Sequence, residues 1–510
     1  MKISFLPLLS IKEIKKIESG YNHHDLLDNA SKCLYKSITN LEEKYLSNIL
    51  IICGPGNNGA DGLYLSSILI KSGYQVDILF PDDFRSKQSA LIKKLDLPEN
   101  NIHNLNFDLE NYIDNKTLIV DAIFGSGLNK QLNKTISDII YTINKHQSFK
   151  ISIDIPSGLD SEGKQTLTDN SSHINIFRSN LVVSFVSLKK GLFTAQGRDH
   201  WNMIHHYKLV TEKLTSNTFL FSLDDFKSIP ISLDDFSHDD IFVEDISNQT
   251  TTSHKIKKTD AKGLIVGGND EYLGALLLAA KAAIKTGVRY LTTLSSVKNS
   301  KIVPTTLPEV ISHSFTEIVN QFPKSEAFLV GPGLGRNNLS EEVFSRFISL
   351  LQKKEIFTII DADAIYFLSK NQSNFKRWVL TPHEGEAAKL LNKKINYIVE
   401  DRYRASKEIQ KKYGGISVLK GAGTIVRDDL NTYICAHGNP GMAMAGMGDC
   451  LSGILLGCHF MTLNELHASL LGIGLHSKAA DLIAHESGIK GLLPSDVIQQ
   501  VSILLNKELV

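Results

Sequence analysis

The chain has 510 residues, 42% hydrophobic and 22% charged; one core stops growing at about 250–300 residues, so two soluble globular domains are expected. Lysine plus arginine and aspartate plus glutamate number 55 each, which gives no general attraction to nucleic acid or to an anionic membrane. No apolar run approaches the ~20 residues that a membrane-spanning helix needs.

From the amino end, MKISFLPLLSIKEIKK offers a short apolar patch and then an amphipathic charged stretch. It has no small-residue cleavage site, so no secretory signal is read and a cytoplasmic location is expected. The five cysteines, Cys33, Cys53, Cys435, Cys450 and Cys458, include no CxxC and fit reduced thiols. Residues 11–38 read as two helices. Strand-like apolar runs follow at 49–53, 75–80, 117–123, 150–155 and 180–186, most of them separated by helix-length segments. That alternation predicts a parallel sheet with helices on both faces. Residues 211–252 turn polar and acidic and carry a near-repeat, SLDDF (222–226 and 232–236), too short for a structural repeat. The domain boundary is placed there. Beyond it, strands are expected at 263–268, 290–294, 327–330, 357–361, 378–381 and 416–420, and helices at 273–286, 453–460 and 465–485. The expected organisation is a first α/β domain over 1–211, a connecting segment over 212–252 and a second α/β domain over 253–510.

In the first half, residues 53–62 read Cys-Gly-Pro-Gly-Asn-Asn-Gly-Ala-Asp-Gly: a strand end, a glycine turn, and a helix expected from near Asp61. Free N–H groups and the positive end of the helix dipole suit phosphate, and in open parallel sheets ligands sit at the carboxyl ends of strands. Two further strand ends carry polar signatures. One is Asp121 with the turn Gly125-Ser126-Gly127. The other is Asp154 followed by Pro156, Ser157 and Gly158. Any one of these is an ordinary tight turn when taken alone; together they define a crevice. In order, the motifs resemble the NAD(P)H-hydrate epimerase domain of bifunctional NAD(P)H-hydrate repair enzymes, whose pattern runs GxGNNGGDG, DAxFGxG, DxPSG. LLDNAS (26–31) and LKKGLFTAQGRDH (188–200) extend the likeness, and Ala60 stands where a glycine is usual. The resemblance implies that Asn57, Asn58, Gly59, Ala60 and Asp61, with Gly125, Ser126, Gly127, Leu128, Asn129, Lys130 and Gln131, hold the hydrated dinucleotide. It implies that Asn58, Asp121 and Ser157 ligate K⁺, and that Asp154 meets the hydrated ring. A carboxylate there is the natural acid–base group for epimerisation; the plainer reading of Asp154 is a turn or cap acceptor.

In the second half the informative stretches are VGPGLGR (330–336), DADAI (361–365), TPHEGE (381–386), KGAGT (420–424) and NPGMAMAGMGDCLSG (439–453). In the last, glycines bracket Asp449 ahead of an apolar helix. N–H groups at that helix start would form an anion hole for a transferring phosphoryl group, and the carboxylate could take the proton of an attacking hydroxyl. This is a ribokinase-type arrangement; no Walker A lysine motif occurs. With TPHxGE and KGxxT it resembles the ADP- or ATP-dependent NAD(P)H-hydrate dehydratase, the second half of the same bifunctional enzymes. His254 and Lys255 fit the start of that domain. The resemblance implies a Rossmann-like three-layer domain followed by a ribokinase-like one. It implies that Lys420, Gly421, Ala422, Gly423, Thr424 and Gly448 bind the nucleotide, that Asp449 is catalytic, and that Ala275, Gly333 and His383 line the hydrate site. Asp363 and Glu386 fall on motif positions without an assigned chemistry, and the plainer alternative for His383 is a core histidine bonded to backbone. Met447 stands where a threonine is common. Mg²⁺ on the nucleotide phosphates is expected, ADP is the expected co-substrate, hydrated NADH and NADPH are the expected substrates, and a homo-oligomer is the family's habit. Two other readings stay open. One is a small-molecule kinase of ribokinase type fused to a Rossmann-like module, against which TPHxGE and the fused first half speak. The other is a non-catalytic nucleotide-binding scaffold, against which the intact Asp121, Asp154, Lys420 and Asp449 speak.

Overall fold

The computed structural model describes residues 2–81, 83–105, 109–128, 130–163, 176–223, 231–234, 241–245, 261–316 and 325–507. Two compact units emerge, one on Leu6–Ser216 with Lys227–Phe242, the other on Met1–Phe5, Asn217–Phe226 and Val243–Val510.

The sheet of the first unit runs, edge to edge, Ile231–Asp234, Trp201–Tyr207, Ser179–Phe185, Phe149–Ile153, Leu118–Ala122, Ile49–Cys53, Val76–Phe80, Ile102–Asn104, and neighbouring strands are parallel. Its run Ile49–Cys53 shows why it is central. Ile49, Ile51 and Cys53 pack on one face with Leu34, Ile38 and Leu63, whereas Leu50 and Ile52 pack on the other with Ile136, Ile139 and Ile143. Both faces of a continuous apolar strand are therefore covered by helices, giving three layers. The two helices expected at the start are Ile11–Glu18 and His23–Thr39. The helix expected from near Asp61 begins earlier, at Asn57, capped by Gly56. Gly54 and Gly59 explain the close entry: a Cβ on Gly59 would lie 2.0 Å from the Gly54 carbonyl oxygen.

The second unit carries a 12-stranded sheet. Its parallel part follows Trp378–Leu380, Phe357–Ile360, Ala327–Val330, Lys262–Val266, Tyr290–Ser295, Val310–Ser314. Beyond Trp378–Leu380 lies Ile416–Leu419, parallel to it, and then an antiparallel meander through Ile425–Arg427 to Thr432–Cys435. The same edge continues with Thr218–Leu223, Lys2–Pro7 and Phe242–Asp245. The last three differ from expectation. The amino-terminal apolar patch is a strand, and the stretch expected as a connecting segment holds three, including Ile231–Asp234 in the first unit. Each is a run of four to six residues, too short for periodicity to stand out against its polar flanks. Residues 246–252, His254 and Lys255 lie outside the described residues.

Helix Leu273–Lys285 buries Ala279, Ala280, Ala282 and Ala283 and meets helix Met447–Thr462. Contact is backbone-close: a Cβ on Gly453 would sit 2.2 Å from the Ala279 carbonyl oxygen. Among the described residues no disulfide joins the cysteines, and no helix is long and apolar enough to cross a membrane.

The closeness of these two helices sets a stability test. Gly453→Val must push the helices apart, and overpacking of this kind costs about 1–3 kcal/mol. Urea unfolding followed by Trp378 fluorescence in a Trp201→Phe background should show the midpoint fall by the corresponding amount.

Candidate functional site

In the first unit the three polar strand ends converge. A Cβ on Gly125 would lie 3.1 Å from Asn58 Oδ1, so the second glycine turn rests on the first helix turn. Asp121 is fully buried at the end of Leu118–Ala122. It accepts hydrogen bonds from Ser157 Oγ at 2.6 Å, Ser157 N at 2.8 Å, Ser152 Oγ at 2.9 Å and Ile123 N at 3.2 Å. Burial pushes its carboxyl up to about 6 against the pull of those donors. Phe124 N donates to Ser157 Oγ at 2.9 Å, and the Asn58 side-chain nitrogen is buried without a partner. Asp121 and Ser157 are thus bonded to each other, and Asn58 lies against the neighbouring Gly125 turn. Ala60 takes ordinary right-handed helical backbone, its N–H bonded to Gly56 O at 3.1 Å. Lys130 and Gln131 are exposed, Gly127 meets open space, and Asn129 lies outside the described residues.

Asp154 stands in left-handed backbone at φ +69, a sparsely populated conformation for a residue with a Cβ. Its N–H bonds to Val183 O at 2.7 Å. One carboxylate oxygen receives the Ser126 N–H at 3.2 Å; the other is ion-paired with Lys189. Asp61, in the second turn of helix Asn57–Lys71, is pushed well above the usual carboxylate range by burial and then by Asp154 and Glu18. Lys189 was not singled out from the sequence. Its only signal was its place in the quoted stretch 188–200.

In the second unit, Asp449 occupies the first turn of helix Met447–Thr462, behind Gly446 in left-handed backbone at φ +86. The N–H groups of Gly448 and Asp449 have no acceptor within the helix. Lys420 overhangs them: a Cβ on Gly448 would lie 3.3 Å from its Nζ. Lys420 Nζ also donates to Asp361 Oδ1 at 2.8 Å and lies 3.8 Å from Glu386 Oε2. Burial works against the Lys420 cation, and Asp361 and Glu386 outweigh it. Burial and Asp361 together push Asp449 up to about 7, opposed by Lys420, and Glu386 likewise rises to about 7, chiefly by burial. Asp361, only 1% exposed, is the hub of this cluster, although the sequence reading gave it no role. Its signal was the first aspartate of DADAI, directly at a strand end.

Most other expected residues find neighbours here. Gly333 lies beside Ala275 and Tyr272. Thr424 Oγ1 donates to Gly421 O at 3.2 Å, closing the loop 421–424. Asp363 Oδ2 accepts from Gly335 N at 2.9 Å and Oδ1 from Arg336 Nε at 2.7 Å, bracing the glycine turn before helix Asn338–Leu351. Met447 turns into the core cluster, away from the exposed face of the helix start. His383 is not a core histidine: its side chain is 61% exposed, its Nδ1 accepts from Gly385 N at 3.0 Å, and it caps helix Glu384–Leu391 in a box with Glu386. A second residue missed from the sequence is Arg402. Fully buried, it pairs with Glu384 and donates to the carbonyls of Leu419 and Lys420 at 3.2 Å each. A Cβ on Gly421 would lie 2.5 Å from it. Among the described residues no group of three or more His, Cys, Asp or Glu is set to hold a metal ion.

Comparison with known proteins follows this division. Residues 263–502 match a family profile described as NAD(P)H-hydrate dehydratase, and residues 23–191 one described as YjeF-related protein N-terminus. The chain is 31% identical to the bifunctional NAD(P)H-hydrate repair enzyme Nnr of Escherichia coli strain K12, over 90% of this chain and 85% of that one. It is 29% identical to the same enzyme of Coxiella burnetii, over 97% and 98%. A solved structure, the ADP/ATP-dependent NAD(P)H-hydrate dehydratase of Bacillus subtilis co-crystallised with ATP and Mg²⁺, is 24% identical with a TM-score of 0.46, covering 50% of this chain and 92% of that one.

Arg402 offers a direct check on how the loop after Ile416–Leu419 is held. Arg402→Met leaves the Leu419 and Lys420 carbonyls without their donor and part-exposed Glu384 without its cation, and a buried acceptor left unsatisfied costs about 1–3 kcal/mol. Urea unfolding read by Trp378 fluorescence should report a loss of that size.

Proposed function

The chain belongs to the bifunctional NAD(P)H-hydrate repair enzymes, and from that premise we propose how its two strand-end clefts divide the work. It is an NAD(P)H-hydrate epimerase and an NAD(P)H-hydrate dehydratase. The observation that carries the assignment of residues is the pairing, in each unit, of one carboxylate at a cleft with a helix start whose N–H groups are free.

In the epimerase half, Asn57 to Asp61 and the turn 125–131 hold the phosphate-bearing part of the hydrated dinucleotide, and Asp154 faces its ring. Inversion at carbon 6 needs a proton moved at the hydroxyl or the ring nitrogen, and a fixed carboxylate does this. The donor set Asn58, Asp121 and Ser157 suits K⁺: amide, carboxylate and hydroxyl oxygens of low total charge, with Asp121 and Ser157 hydrogen-bonded to each other. Bound there, K⁺ would stiffen the glycine turns and favour the ionised form of Asp121.

In the dehydratase half, the nucleotide lies over Gly421 to Thr424 with its phosphates at the helix start of Gly448, where Lys420 supplies a cation. Ala275, Gly333 and His383 border the hydrate. The carbon 6 hydroxyl is a poor leaving group. Asp449 accepts its proton as the oxygen takes the terminal phosphoryl of the nucleotide. The lone pair of the ring nitrogen then expels phosphate, and loss of the proton on carbon 5 restores NADH or NADPH. Mg²⁺ would neutralise charge on the nucleotide phosphates, consistent with a site lacking a protein cage for it. We assign ADP as the co-substrate, giving AMP and phosphate. A simple kinase would instead leave a stable phosphorylated alcohol.

Asp449→Asn should cut nucleotide-dependent recovery of reduced-nicotinamide absorbance by about 10²–10⁴-fold and spare epimerisation. Asp154→Asn should do the reverse; loss of both activities in either folded variant refutes the division. Because Asp449 must be ionised to accept a proton and burial raises it to about 7, the dehydration rate should climb with pH through about 7. A ligand that binds only the folded form stabilises it. So replacing tetramethylammonium chloride by KCl should raise the melting temperature of the first half by about 2–4 °C, and Ser157→Ala should abolish the difference.

A further inference from the structure

Lys189 has no role in the family likeness set out above, yet it is among the most expensively placed side chains of the first unit. After strand Ser179–Phe185 the chain turns through Val186 in left-handed backbone at φ +62, and Lys189 folds back beneath the strand end with its side chain 3% exposed. A buried ammonium costs several kcal/mol unless paired and hydrogen-bonded. Here every donor is met: Asp154 takes one, Phe185 O accepts at 2.7 Å and Ser184 Oγ at 3.2 Å. A leucine or methionine would fill the same space without that cost, so the charge serves something other than packing.

The surroundings show what it serves. Glu18 faces Lys189 from helix Ile11–Glu18, Asp61 from helix Asn57–Lys71, Asp154 from the end of Phe149–Ile153 and His206 from strand Trp201–Tyr207; the adjacent Lys190 is engaged elsewhere, with Glu162 at 3.4 Å. Glu18 is lifted by burial and pulled back by Lys189, and burial keeps His206 neutral, helped by the same cation. Three carboxyls thus share one lysine, and only Asp154 is bonded to it. The Asp154 backbone is tied at Val183 to the very strand that delivers Lys189, and its second oxygen is tied to Ser126 N–H.

We propose that Lys189 is the positioning residue of the epimerase site: by bonding Asp154 alone among three neighbouring carboxyls, it fixes which one meets the ring as the proton acceptor and in what orientation. This rests on the assignment of epimerisation to the Asp154 cleft. Removing the cation leaves three neighbouring carboxyls without their shared counter-charge, which disfavours their charged forms. The acid limb of the epimerisation profile then moves up in pH.

The test uses the full chain, the purified R epimer without nucleotide, chromatographic separation of epimers, and the nucleotide-dependent dehydratase activity as a control for folding. Lys189→Met should lower kcat for epimerisation about 10²-fold, change KM less than about threefold, and move the acid limb of the pH profile up by about one unit. Lys189→Arg, keeping the charge, should return the limb to its parental position. An unmoved limb in a Lys189→Met protein with intact dehydratase activity overturns the proposal, as does a kcat within threefold of the parent. Should Lys189→Met lose both activities, Lys189→Arg decides: a parental limb supports the proposal and a raised one overturns it. Asp154→Asn run alongside separates the two levels. If it still epimerises, the cleft assignment itself fails; if it is inactive while Lys189→Met is not, only the role of Lys189 fails.

Discussion

An ammonium, buried in one unit and part-buried in the other, set against a carboxylate at the end of a parallel strand is the interaction on which each half of this molecule turns. In the first unit Lys189 meets Asp154 just beyond Phe149–Ile153; in the second Lys420 meets Asp361 just beyond Phe357–Ile360. Neither pair is a stability device: buried ion pairs are at best neutral against apolar side chains of equal volume. What each pair does is fix a charge where the sheet ends and the backbone opens, the place where parallel sheets take ligands. Local strain marks the same positions. Asp154 and Val186 in one unit, and Ala362 next to Asp361 in the other, adopt left-handed backbone without being glycine. Such conformations persist only where the surroundings over-determine them.

The glycines make those strand ends usable. A Cβ on Gly54 would lie 1.7 Å from Ile123 O, and one on Gly331 1.7 Å from Asp361 O. In both units bare main chain lets two strand ends approach until helix starts, turns and carboxylates share one hollow. The sequences around these positions are rich in glycine because backbone must touch backbone, and only secondarily because turns are needed.

That explains what could be read from the sequence. The central strands were legible because both faces are buried, so each is an unbroken apolar run flanked by a glycine turn: Ile49–Cys53 and Ala327–Val330 fall where periodicity puts them. The glycine motifs brought Asn58, Asp121 and Ser157, and likewise Gly448 and Lys420, to common sites. The strands added at one end of the second sheet were not legible. Lys2–Pro7, Thr218–Leu223 and Phe242–Asp245 acquire their pairing from chain distant in sequence. Lys189, Asp361 and Arg402 escaped for a related reason. A buried charge leaves no periodic trace; its meaning comes from partners, 35 residues away for Lys189 and 59 for Lys420.

The two clefts also differ in a way that fits their separate chemistry. Around Asp449 burial first, then Asp361, Asp363 and Glu386, raise its proton affinity while Lys420 restrains it, pushing its carboxyl up to about 7. A base that accepts a proton during phosphoryl transfer and must later release it works best with its pKa close to the operating pH. The epimerase cleft solves a different problem. On the proposed reading no phosphoryl group leaves, and a proton need only be moved at the hydroxyl or the ring nitrogen while carbon 6 inverts, so directional control matters more than a finely placed affinity. Three carboxyls with one lysine supply that control: the bonded oxygen of Asp154 is held from one side by Lys189 and the other oxygen by the Ser126 N–H, so the carboxylate can neither rotate away nor trade places with Asp61. On the proposed assignment, repair of both epimers by one chain follows from two carboxylates, one tuned by burial and surrounding charge and one immobilised by its ion pair.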